Sequence, residues 1–94
     1  MNSMRIKLNV SVCNSELDIK DFSIYVNKNL SLVKIFKLIL IKLSSLERSK
    51  FTFGFYLDSK LVCIMNSKGA KLYEHCSITD FESNIVDVVI TRKG

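Results

Sequence analysis

The period at which apolar residues recur changes twice along the chain, and this constrains the fold more than any other feature. From Ile6 to Val12, Ile6, Leu8, Val10 and Val12 alternate with Lys7, Asn9 and Ser11, the period-two pattern of a strand with one buried face. Between Leu32 and Leu46 the spacing becomes helical. Leu32, Ile35, Phe36, Ile39, Leu43 and Leu46 share one face at about 3.6 residues per turn, and Lys34, Lys37 and Lys42 fall opposite. Period two then returns at Phe51, Phe53, Phe55 and Leu57, and again at Val86, Val88 and Ile90. A chain patterned in this way lays one helix, Leu32 to Leu46, against a sheet.

The intervening segments supply smaller elements. Asn14-Ser15-Glu16 reads as a turn into a second run, Leu17, Ile19, Phe22, Ile24 and Val26, whose phase shifts at Lys20-Asp21 and so predicts a bulge there. Ser31 is placed to cap the helix. Gly54 predicts a bulge or a close backbone approach in the third strand. Leu61 to Met65 reads as a further strand, Asn66 to Gly69 as a turn and Lys71 to Cys76 as a short strand, while Ser77 opens a helical turn. The order strand, strand, helix, strand, minor elements, strand describes an α+β chain, a ubiquitin-like β-grasp with a mixed sheet and one main crossing helix. A ferredoxin-like split unit would want a second full helix, and the sequence offers none. Residues 1–94 are expected to form one domain, with residues 1–4 loose and residues 92–94 a short C-terminal tail.

With 94 residues there is room for one such domain, and a domain of this size buries only roughly 60% of the surface its unfolded chain exposes. An association surface is therefore expected. The apolar share of 48% is too high for a disordered chain. Lys34, Lys37 and Lys42 interrupt the most apolar stretch, so no membrane-spanning helix is expected, and the first residues lack the apolar core of a secretory signal. Cys13, Cys63 and Cys76 are odd in number and irregularly spaced, which fits reduced thiols in the cytoplasm rather than a disulfide framework.

Residue types with catalytic or ligand-binding chemistry are sparse. The glycines Gly54, Gly69 and Gly94 are too far apart for a phosphate loop, and no Cys-x-x-Cys pair accompanies His75 and Cys76 to build a metal site. If the chain is extended at His75 and Cys76, the two side chains point to opposite faces and cannot act as a nucleophile and its base. Asp80 and Glu82 read as solvated or capping residues near a turn. No enzyme activity, cofactor or small-molecule substrate is expected. The net charge of +5 comes from 14 Lys and Arg against 9 Asp and Glu spread along the chain, and the phenylalanines alternate in the core pattern instead of among lysines. A nucleic-acid platform is therefore not expected, whereas an acidic partner is compatible with this charge. Leu38 and Ile41 stand among the lysines on the wet side of the helix. Together with Lys34 and Lys37 they form the candidate partner-binding surface.

Several segments resemble the autophagy-related ubiquitin-like protein twelve family over nearly the whole chain. Arg5-Ile6-Lys7-Leu8 is similar to its first strand, Leu32-Val33-Lys34-Ile35-Phe36-Lys37-Leu38 to its helix, and Phe55-Tyr56-Leu57-Asp58-Ser59-Lys60-Leu61 to a later strand followed at the family's distance by Leu72-Tyr73-Glu74. The chain departs from the family where Val62-Cys63-Ile64-Met65-Asn66 replaces a proline-containing loop, where Arg92-Lys93 replaces an aromatic-small pair, and where Ile24 stands near the place of a tryptophan. The resemblance implies a modifier whose terminal glycine, here Gly94, is charged by an activating enzyme, passed through a conjugating enzyme and joined to a lysine of autophagy protein five. It equally allows a pair held without the covalent bond. The pair promotes attachment of autophagy protein eight to phosphatidylethanolamine, so the chain would meet a membrane only indirectly. Two alternatives stand beside this reading: a non-conjugated ubiquitin-like interaction module in another protein or ribonucleoprotein assembly, and a different modifier of the ubiquitin class.

Overall fold

Strand β1, Arg5–Cys13, and strand β2, Phe22–Asn27, pair antiparallel with Leu8 opposite Ile24 and Val10 opposite Phe22. The computed structural model describes residues 4–14 and 17–93. Alternation buries Leu8, Val10, Ile24 and Val26 on one face and leaves Lys7, Asn9, Ser23 and Tyr25 exposed. The bulge expected at Lys20-Asp21 is not a bulge. Leu17 and Ile19 pack against the core from outside any strand, and the Asp21 carboxylate accepts the Val12 backbone N–H at 2.8 Å. The phase shift in the sequence records the passage from loop to strand, where a side chain stands in for the next ladder bond.

Helix α1, Leu32–Lys42, begins as the sequence predicts, with Ser31 Oγ accepting the Lys34 N–H at 3.3 Å. It ends earlier than the expected Leu46. Leu43 caps it, donating its N–H to the Leu40 carbonyl, and the Leu46 N–H bonds the Leu43 carbonyl in a following turn. Ser44 and Ser45, whose hydroxyls compete for backbone partners, sit where the helix stops. Leu43 is nonetheless buried and Leu46 half-buried, so the apolar stripe runs on through the turn. Leu40 is buried as well, which makes the core-facing stripe wider than the spacing alone assigned.

A 3₁₀ turn, Arg48–Lys50, leads into β3, Phe51–Leu57, with Phe51, Phe53, Phe55 and Leu57 all buried. Strand β4, Lys60–Asn66, and strand β5, Gly69–Leu72, follow, and after a capped 3₁₀ turn at Ile78–Asp80 the chain closes with β6, Ile85–Arg92. The short strand expected over Lys71 to Cys76 thus lies earlier. Gly69, at φ +138°, closes the β4–β5 turn, and pairing runs from Asn66–Gly69 to Cys63–Leu72. In β3 the register against β4 shifts between Phe55 and Tyr56, next to Gly54, over which the Tyr56 ring lies so closely that a Cβ would sit 3.3 Å from it.

The strands form one six-stranded sheet in the order β2-β1-β6-β3-β4-β5. β1 and β6 run parallel and every other pair is antiparallel, so the sheet is mixed. α1 buries Leu32, Ile35, Phe36, Ile39 and Leu40 in the same cluster as the inward residues of β1, β2, β3, β4 and β6. The architecture is α+β with one main helix, compatible with a β-grasp.

Candidate functional site

The four helix residues expected at a partner surface are all exposed, and the structure divides them between two sides of α1. Leu38, 40% exposed, and Ile41, 59% exposed, line a groove between α1 and β2 together with Tyr25, Arg5 and Lys42. Lys37 lines a second cleft on the other flank of the helix. Lys34 stands in the first turn, its N–H held by Ser31.

The groove follows from two local patterns. β2 alternates, so that Ile24 and Val26 point to the core while Tyr25, 61% exposed, points outward; Arg5 lies over its ring at 6.0 Å. α1 turns Leu38 and Ile41 to the same side, three residues apart. β2 is also an outer strand of the sheet, with a partner only in β1, so one side of its backbone faces no neighbouring strand. An open strand edge beside an apolar groove is the geometry that accepts an extended peptide as an added strand. Arg5 and Lys42 are its charged lining residues, and no carboxylate lines it.

Residues with nucleophilic or acid–base chemistry are engaged elsewhere or held in unreactive form. Burial pushes the Cys63 thiol up from its ordinary value, which keeps it protonated at neutral pH. The Cys76 thiol is also raised, by desolvation first and then by Asp80 and Glu74, against the opposing effect of Lys60. His75 and Cys76 do not lie in a strand, contrary to the extended reading of that segment, and both are exposed. Asp80 belongs to a capping box: its Oδ2 accepts the Ser77 N–H at 2.8 Å. Among the described residues no three His, Cys, Asp or Glu side chains gather to hold a metal ion. No helix of the described residues is long and apolar enough to cross a membrane.

Gly94, the expected point of conjugation, lies outside the described residues. The residues before it are ordered by pairing: Arg92 lies opposite Phe51 at the end of β6, and the Lys93 N–H bonds the Lys50 carbonyl at 2.9 Å. Sequence reasoning missed Tyr25 and Arg5 as members of the groove. An aromatic residue at an outward strand position was the available signal for Tyr25. No signal in the sequence pointed to Arg5, which reaches the groove only because β1 and β2 pair. Comparison with family models, curated proteins and solved structures finds no match for the chain.

Proposed function

We propose that the chain is a ubiquitin-like modifier of the autophagy machinery, acting in the cytoplasm as a docking protein rather than an enzyme. In this reading it pairs with autophagy protein five, through Gly94 or through its folded surface, and the pair promotes lipidation of autophagy protein eight. The observation that carries the ubiquitin-like part is the strand order, with the first and last strands parallel side by side and one helix packed across the sheet. The segment resemblances at Arg5–Leu8, Leu32–Leu38, Phe55–Leu61 and Leu72–Glu74 support the assignment to autophagy. A glycine end suits conjugation because it carries no side chain to obstruct a narrow active-site channel.

The groove of Tyr25, Leu38 and Ile41 favours a second reading, a ubiquitin-like interaction module that is never conjugated, since that surface works without the C-terminus. Affinity purification from the native cell with mass spectrometry tests the proposal. Recovery of autophagy protein five together with the activating and conjugating enzymes is the expected result. Recovery of a different, stoichiometric protein or ribonucleoprotein assembly in their place would overturn the autophagy assignment and favour the second reading.

A further inference from the structure

The cleft on the other flank of α1 has a composition unlike the rest of the surface. Its floor is apolar: Leu40 from α1, Phe53 from β3 and Met65 from β4. Its rim is cationic, with Lys37 from α1, Arg48 from the 3₁₀ turn and Lys68 from the β4–β5 turn, all exposed. A fourth cation approaches from the end of β6, where Lys93 Nζ lies 3.2 Å from Ser67 Oγ on the same rim. No carboxylate lines the cleft. Glu47, next to Arg48 in the chain, pairs with Lys50 at 3.4 Å.

We infer that this cleft is a docking site for an acidic peptide segment that carries one large apolar side chain. The anchor covers Leu40, Phe53 and Met65, and flanking carboxylates meet Lys37, Arg48 and Lys68. Three features select this occupant. The cations come from separate elements and surround an apolar floor, so a ligand must offer negative charge around an apolar centre. The volume is about 250 Å³, below the roughly 300–1,000 Å³ of pockets that enclose drug-sized molecules, and suits one inserted side chain. No exposed aromatic ring lines the rim, so the stacking surface that single-stranded nucleic acid requires is missing from the lining. The inference does not depend on the autophagy reading and concerns a different flank of the helix from the Tyr25 groove.

The test uses the whole chain and a fluorescein-labelled synthetic peptide in which one phenylalanine is flanked on both sides by aspartates and glutamates. Fluorescence anisotropy gives the affinity, and amide chemical shifts of the ¹⁵N-labelled chain give the place. Binding that weakens with salt is expected, with shifts concentrated at Lys37, Leu40, Arg48 and residues 65–70. The combined variant Lys37→Glu, Arg48→Glu, Lys68→Glu should weaken it by about tenfold or more, whereas Lys7→Glu, Lys20→Glu, Lys60→Glu, with the same change of net charge, should leave it within about twofold. A peptide with alanine for phenylalanine should also lose about tenfold. Equal losses in the two variants, shifts confined to β2 and Ile41, an alanine peptide that binds as well, or tighter binding of a uridine-rich RNA oligonucleotide would each overturn the inference. Dispersed amide spectra of the variants distinguish lost binding from lost folding.

Discussion

Phe36 of α1 and Phe55 of β3 stack with ring centroids 4.5 Å apart and planes inclined by 19°, and both are fully buried. This contact fastens the helix to one of the two middle strands of the sheet, with β6 on one side of β3 and β4 on the other. Offset aromatic pairs contribute roughly 0.5–1.5 kcal/mol beyond the area they bury. The spacing of Phe36 on the helix and of Phe55 on the strand placed each on a core face separately; their meeting depends on how the helix crosses the sheet.

Phe36→Ala should therefore destabilise the chain by about 3–5 kcal/mol, a large fraction of the stability of a small domain. Ile39→Ala, at a fully buried position one turn on, should cost about 2–5 kcal/mol. Urea unfolding followed by circular dichroism checks both. An unchanged midpoint for either variant would contradict its place in the core.

The elements legible in the sequence are those in which one face is uniformly apolar over several residues. β1, β3 and β6 show this through Leu8 and Val10, Phe53 and Phe55, and Val86 and Val88. α1 shows its start through Ser31 but hides its end, because Leu43 and Leu46 keep helical spacing after the hydrogen-bonded helix has stopped at Lys42. β5 was misplaced because Gly69, Ala70 and Lys71 are exposed and carry no burial pattern; pairing with β4 defines it. Leu38 and Ile41 were visible as apolar residues on a wet face. The cleft containing Arg48 and Lys68 was not, since three segments distant in sequence come together only through the order of the strands.

Leu38→Asp with Ile41→Asp tests the groove beside β2. Both side chains are exposed, so the pair of changes should alter stability by no more than about 1 kcal/mol. Binding to the partner should weaken, and Tyr25→Ala should weaken it in the same direction. Thermal unfolding together with co-purification separates the two effects: a doubly substituted chain that unfolds would mean that these side chains support the core.

The β3–β4 turn holds a removable strain. Asp58 at φ 51° and Ser59 at φ 64° both adopt the left-handed region, which favours glycine. Ser59→Gly should stabilise the chain by roughly 0.5–1 kcal/mol. Asp58 has a further role, since its two carboxylate oxygens accept the Glu82 and Ser83 N–H groups, each at 3.0 Å. Asp58→Ala should cost about 1–2 kcal/mol. Opposite shifts of the urea midpoint for the two variants are the expected result, and parallel shifts would contradict this account of the turn.

Cys63 should report on folding through its thiol. Because burial raises its pKa, the unfolded chain loses that proton first as pH rises, so the unfolded state gains stability relative to the folded one above the ordinary thiol value of 9.0. Stability should therefore fall between about pH 8.5 and 10, and fall less steeply in Cys63→Ala. A thiol reagent should label the exposed Cys13 and Cys76 in the folded chain and reach Cys63 only on unfolding. Three equally fast thiols would contradict the burial of Cys63.

Deletion of Gly94 asks how the proposed pair is joined. Conjugation needs the glycine carboxylate, which becomes the carbonyl of a new amide to a lysine amine of the partner. A contact made by α1 and β2 needs neither. The backbone before Gly94 is held into Lys93 by its bond to the Lys50 carbonyl, so removing one residue beyond it should leave the melting temperature unchanged. In the covalent case, a partner-sized shift on denaturing gels is present in the full chain and disappears on deletion. A full chain that shows no such shift, yet co-purifies with autophagy protein five and loses it when Leu38 and Ile41 are changed to aspartate, is joined through its folded surface.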